Sequence, residues 1–135
     1  ELQEYTTKIR KMADEAGIVM MEGRSDSEVA DILADTKIAY LPYPDGLSER
    51  RGSFLAFVRN LALIVSTEGP FVTDAQRESL KVVKEDEAAT VLKDIFLLSD
   101  QQLNEEQSRV EAFVKNELPS SWNEVVEQYN SYIKN

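Results

Sequence analysis

Two short apolar runs, KIAYL at residues 37–41 and LIVS at 63–66, are separated by a segment whose apolar positions recur at helical spacing. No other feature constrains the fold as much. A continuous apolar run, without alternation, is the mark of a strand buried on both faces. Two such strands joined by a helix are parallel, because a crossover of a dozen or more residues returns the chain to the same end of the sheet. Phe54, Leu55, Val58 and Leu61 supply the apolar stripe of the intervening helix, expected from about Ser48 to Asn60. The runs IVMM at 18–21 and LKVV at 80–83 extend the alternation to four expected strands. The expected fold class is therefore α/β: a Rossmann-like layered domain with a short parallel sheet, helices on both faces and a helical carboxyl terminus.

Helix signals frame these strands. Leu2, Tyr5, Ile9, Met12 and Ala16 form a three- and four-residue repeat, and Gly17 stands where such a helix would be capped. Ser25 and Glu28 have capping-box spacing ahead of Val29, Ile32 and Leu33, as do Ser99 with Gln102 and Ser121 with Glu124. Residues 67–74, with Gly69-Pro70, read as a loop. Three further helices are expected: one around Val91, Leu92, Ile95 and Phe96, one around Leu103, Val110, Phe113 and Val114, and a last one carrying Trp122, Val125, Val126, Tyr129 and Ile133. Trp122 lies on that helix's apolar stripe and reads as a packing anchor. Residues 84–87 read as a solvated helix start, where acids suit the dipole. With 135 residues and no linker or repeat, a single domain is expected.

Composition excludes several chemistries. The chain has no histidine and no cysteine, so imidazole acid–base catalysis, Ser-His-Asp and Cys-His nucleophiles and thiolate or imidazole metal sites are out of reach of its own residues. Fifteen basic residues against twenty-five acidic give a net charge of −10, which repels nucleic-acid backbones and anionic membrane surfaces. No apolar run approaches the roughly 20 residues of a transmembrane helix. No cofactor and no metal are expected, nucleic acid is excluded as a partner, and the chain reads as cytoplasmic.

Against that acidic background the stretch LPYPDGLSERRGSFLAF, residues 41–57, places two adjacent arginines at the start of a helix. The loop follows the carboxyl end of a strand, where α/β sheets bind ligands. A helix start offers free N–H groups and the positive end of the macrodipole. Gly46 and Gly52 permit close backbone approach, Ser48 and Ser53 offer hydroxyls, and Arg50 and Arg51 can grip phosphate oxygens bidentately. Spacing alone gives two readings: an anion site, or a solvated arginine face. Neither a Walker loop nor a dinucleotide fingerprint is present. Tyr43 either lines such a site or closes a buried strand end.

Residues 19–67 resemble the donor-binding half of GT-B glycosyltransferases of the family-4, retaining type. The likeness lies in Met20-Met21-Glu22-Gly23, in Ser25-Asp26-Ser27-Glu28, in Ala39-Tyr40-Leu41-Pro42 with Asp45-Gly46, and in the segment from Ser48 to Leu55, which is similar to a "SERRGSLLAAL" pattern. Trp122 with Tyr129 or Tyr132 is similar to the family's closing helix. The resemblance implies transfer of a sugar from a nucleotide-sugar donor without a metal, the diphosphate resting on Ser48, Glu49, Arg50, Arg51, Gly52 and Ser53. It implies a glycan or lipid-linked acceptor held by an acceptor domain that this chain lacks, and a peripheral membrane association through the rest of the protein. It names no catalytic residue.

The pattern departs from the family's in three places. The family's glutamates eight positions apart would fall at Ser48 and Ala56, or at Glu49 and Phe57, so the carboxylate that grips ribose is missing. The Gly and Pro that precede the next strand are replaced within Leu61-Ala62-Leu63. Two strands that would lie ahead of Glu1 are absent, which favours a fragment of a longer enzyme over altered strand pairing or completion by another chain. The alternative is a non-catalytic GT-B-like interaction module with a decayed site. A receiver-like domain fits less well, because Asp45 has only Glu49 as an acidic neighbour in its loop.

Overall fold

A computed structural model describes residues 2–118. The chain divides into two compact units, residues 1–32 and 33–135. The first holds helix α1 (Leu2–Glu15) and most of helix α2 (Asp26–Asp35). Gly17 ends α1 in the left-handed region at φ 73°, with Ile18 N–H donating to Ala13 O at 2.8 Å. The Ser25 capping box forms as expected: Glu28 N–H donates to Ser25 Oγ at 3.3 Å and Ser25 N–H to Glu28 Oε1 at 3.2 Å. The Ser25 N–H and the Ser25 hydroxyl, which both donate to Glu28 Oε1, together with Arg24, hold the Glu28 carboxyl below its ordinary pKa.

The apolar stripe of α1 is not buried. Leu2, Tyr5 and Met12 are exposed, and Ala13 is the one buried residue of that helix. The run at residues 18–21 is likewise not a strand, and Ile18, Val19, Met20 and Met21 all stand exposed. A strand exists only through ladder bonds to a neighbour, and no ladder among the described residues includes these four.

The second unit carries the sheet. Strands β1 (Ile38–Leu41), β2 (Leu63–Thr67) and β3 (Lys81–Val83) run parallel in the order β1-β2-β3. Ile38 pairs with Leu63 and Leu41 with Ser66; Val65 pairs with Lys81 and Thr67 with Val83. Every residue of β2 is buried, as the apolar run Leu63-Ile64-Val65 requires of a central strand. Among the described residues the sheet is short and open, consistent with a Rossmann-like layout, and has three strands where four were expected.

Helix α3 (Gly52–Arg59) joins β1 to β2. It begins four residues later than the apolar stripe suggests, because residues 48–51 form a turn in which Arg51 N–H donates to Ser48 O at 3.1 Å. It ends in a Schellman motif: Ala62 N–H donates to Phe57 O at 3.2 Å and Leu61 N–H to Val58 O at 2.9 Å. Leu61 occupies the left-handed position there at φ 65°, where glycine is usual.

Helix α4 (Asp74–Ser79) occupies a stretch with too short an apolar pattern to announce itself. Its start is a capping box between Thr73 and Gln76. After β3 and a single 3-10 turn, Glu85–Glu87, come α5 (Ala88–Phe96) and α6 (Asp100–Glu117), the latter opened by the expected Ser99–Gln102 box. Helix α6 packs against α3, α4 and β2, whereas α5 lies on β2 and β3. The core joins Phe54 and Val58 of α3, all of β2's apolar residues, Leu80, Ile95, Val110 and Phe113. Phe54 and Phe113 meet edge to face at 6.4 Å between centroids. The helix expected around Trp122 lies outside the described residues.

Candidate functional site

The carboxyl ends of the three parallel strands converge on one cleft. Its volume is about 360 Å³, and it is lined by Pro42, Tyr43 and Pro44 after β1, by Thr67 and Glu68 at the end of β2, and by Lys84 and Glu85 after β3. The loops that form it are tied to the strands by side-chain hydroxyls. Ser66 Oγ donates to Leu41 O at 2.7 Å and Thr67 Oγ1 donates to Tyr43 O at 2.6 Å. These bonds cross from β2 to the chain leaving β1, so a Pro-rich segment with few N–H groups of its own is held in place.

A glycine pair brings the β1 and β2 loops into contact. Gly46 has φ 89°, and a Cβ on it would lie 2.5 Å from Gly69 Cα and 2.7 Å from Glu68 O. A Cβ on Gly69 would in turn overlap the Asp45 carbonyl oxygen. The Leu47 N–H reaches Thr67 O at 2.9 Å, and Leu47 is fully buried. Two backbones touch here, and only glycine at both positions lets them.

The six residues singled out in the sequence lie directly beyond this contact. The Ser48 hydroxyl accepts from Arg50 N–H at 3.2 Å, which caps the turn and leaves that oxygen partly committed. The Glu49 and Arg50 side chains point into solvent, and no described group bonds the Arg50 guanidinium. Arg51 is the N-cap of α3 but gives it no side-chain cap. Its guanidinium instead stacks over the Tyr43 ring at 4.9 Å and stands 3.7 Å from the Asp45 carboxylate. With Asp45 86% exposed, the ion pair itself contributes little, and the stacking sets the position of Arg51.

The tip of α3 is open. Leu55 N–H closes the first turn by donating to Arg51 O at 3.1 Å, and no described group accepts from the N–H groups of the exposed residues Gly52 and Ser53, whereas Phe54 is buried in the core. A Cβ built on Gly52 meets nothing within 4 Å. Ser53 Oγ and Tyr43 Oη lie 2.5 Å apart, so Tyr43 joins the helix start to the cleft. Ser53, Gly52, Arg51 and Tyr43 are thus brought together, whereas Glu49 and Arg50 remain at the periphery.

Of the charged cleft residues, Glu68 was not singled out from the sequence, and Lys84 and Glu85 were read only as part of a solvated helix start. The available signal was their place immediately at or after a strand's carboxyl end. Arg77 fixes Glu68 on two bonds, Nη2 to Oε1 at 2.6 Å and Nε to Oε2 at 3.3 Å. The side-chain hydrogen bond from Arg77 holds the Glu68 carboxyl below its ordinary range and raises the guanidinium in return. A larger groove of about 500 Å³, lined in part by Lys37, Asn60, Leu61, Asn104 and Gln107, opens at the opposite, amino ends of the strands. It touches none of the residues at the α3 tip, and no ligand rule for parallel sheets points to that end.

Among the described residues no carboxylate cluster is suited to a metal ion and no helix is long and apolar enough to cross a membrane. Comparison with protein-family models, with curated proteins and with solved structures finds no match for this chain.

Proposed function

We infer that the chain is the donor-side portion of a GT-B glycosyltransferase, and that it holds the diphosphate of a nucleotide sugar at the amino end of α3. The open helix tip carries this reading: the unpartnered N–H groups of the exposed residues Gly52 and Ser53 beside the Tyr43-stacked guanidinium of Arg51. When a nucleoside diphosphate leaves, negative charge grows on its oxygens. Amides and guanidinium groups already fixed in place stabilise that charge without reorganising, and Arg50 is free to close over the exposed side.

Among the described residues no strand pairs with the outer side of β1, which supports the view that this sheet is part of a larger one. Beside that edge a groove of about 560 Å³ runs between Ile38 and Tyr40 of β1 and Leu92 and Phe96 of α5, with Phe96 73% exposed. Strand edges with an apolar flank are rarely left bare in a finished domain. Further strands would complete the sheet, and the acceptor, a glycan or lipid-linked molecule, would be bound by a domain outside this chain. The chain alone then has no turnover.

The test is a titration with uridine, adenosine and guanosine diphosphates, followed by amide NMR. Gly52 and Ser53 amides should shift, and Arg51→Ala or Arg50→Ala should weaken binding by about tenfold or more, the value of one lost charge-assisted contact. Unmoved Gly52 and Ser53 amides with every nucleotide would overturn the reading. The same bare edge of β1 favours a second reading, a non-catalytic module that receives a partner subunit. Sugar-nucleotide turnover by the full-length protein, abolished by the arginine substitutions, would remove it.

A further inference from the structure

The chain has three methionines and no cysteine, and its three sulfur atoms all belong to the first unit, on Met12, Met20 and Met21. Methionine is ordinarily among the more buried residue types. Here Met12 and Met21 are each 55% exposed and Met20 is 39% exposed. The buried core of the second unit is built from Ala, Val, Leu, Ile and Phe and contains no sulfur. We propose that Met12, Met20 and Met21 form a site of modification by peroxide, at which conversion to sulfoxides turns the exposed apolar surface of the first unit polar and leaves the sheet and its core intact.

The local fold places the three in one helix-and-return segment. Helix α1 closes at Gly17, where Ile18 N–H donates to Ala13 O at 2.8 Å, and the chain then doubles back until Arg10 Nη2 donates to Glu22 Oε2 at 3.0 Å. Residues 18–22 thus return along the helix that carries Met12. Leu2, Tyr5, Ile18 and Val19 are exposed in the same unit, so the thioethers are part of a larger apolar surface. Oxidising them changes the character of that surface, because a sulfoxide is polar where the thioether was flexible and apolar.

The chemistry needs no catalytic group. A lone pair of the thioether sulfur attacks one oxygen of hydrogen peroxide; the S–O bond forms as the O–O bond breaks, and the other oxygen leaves as hydroxide and takes a proton to become water. Sulfur loses two electrons and the peroxide gains them. Access is then what sets the rate, and no thiol of this chain competes for the oxidant. The same exposure admits the methionine sulfoxide reductases, one for each epimer, so the change is reversible.

The test treats the full chain with hydrogen peroxide beside N-acetylmethionine amide as a standard, with peptide mapping by mass spectrometry. Each methionine should gain one oxygen at a rate no more than about tenfold below the standard, with Met12 and Met21 ahead of Met20. The oxidised chain should leave a phenyl hydrophobic-interaction column earlier, and the two reductases together should restore its retention. Amide NMR should find Leu63 to Thr67 of β2 unmoved. The triple variant Met12→Gln, Met20→Gln, Met21→Gln should elute early without peroxide, and the corresponding triple leucine variant should keep its retention through the treatment. The proposal is overturned if any of the three methionines reacts more slowly than that limit, if oxidation leaves retention unchanged, if the β2 amides shift, or if the leucine variant responds to peroxide as the parent does.

Discussion

Replacing Gly46 by alanine should be far more damaging than one methyl group ordinarily is. At φ 89° the residue sits where a side chain costs about 1–2 kcal/mol. The added Cβ would also lie 2.5 Å from Gly69 Cα and 2.7 Å from Glu68 O, both backbone atoms that cannot swing aside. Overpacking of that kind costs about 1–3 kcal/mol. Reduced freedom of the unfolded chain returns about 0.4–1 kcal/mol. The net is a loss of about 3 kcal/mol. Urea unfolding followed by circular dichroism should register it as a midpoint lowered by about 1.5 M at an unchanged slope of about 2 kcal/mol/M. Gly52→Ala is the control, since its Cβ meets nothing within 4 Å and its φ is not positive. That variant should match the parent or exceed it by up to about 1 kcal/mol. If Gly46→Ala unfolds at the parent's midpoint, or if Gly52→Ala loses as much, the backbone contact between the two loops is not what fixes the site.

Two further outcomes follow from particular residues. At Leu61, with φ 65°, the usual helix order should reverse: Leu61→Gly should be more stable than Leu61→Ala by about 1 kcal/mol in the same urea assay, because both remove the side chain and only alanine keeps a Cβ in the left-handed region. Equal stabilities would refute the Schellman geometry. At Glu68 the folded carboxyl is held below its unfolded value by Arg77, so its contribution is complete above the unfolded pKa of about 4.3 and is lost as pH falls through the lower folded value. A carboxyl NMR titration should place Glu68 below its value in the unfolded chain and raise it in Arg77→Gln; an unchanged titration would mean the pair does not persist in solution.

The sequence made the sheet legible where burial was complete. Residues 63–65 form an unbroken apolar run, followed by the buried hydroxyls of Ser66 and Thr67, because β2 is covered on both faces, and a half-solvated strand would alternate instead. The same signal failed at residues 18–21, since an apolar run states that a segment needs a neighbour and cannot state that the neighbour is present. Helix α3 was placed correctly but opened four residues late: Phe54 and Val58 define its buried face, whereas the turn at 48–51 depends on a backbone bond to Ser48 that apolar spacing does not encode. The six residues of the α3 tip were visible because a glycine and two arginines stand out in an acidic chain. Glu68, Lys84 and Glu85 look like surface charges until the sheet gathers three strand ends around them, and Arg77 reaches Glu68 only because the short helix α4 turns the chain back.

The bare flank of β1 also governs how this chain behaves by itself in a tube. The outer side of β1, which pairs with no strand among the described residues, is beside Tyr40 and Phe96 a template on which another copy can add, and the surplus of ten negative charges is the force that keeps copies apart. Repulsion of that sort fades within about 10 Å at 0.1 M salt, so concentrated salt should leave the chain sticky where dilute buffer leaves it dispersed.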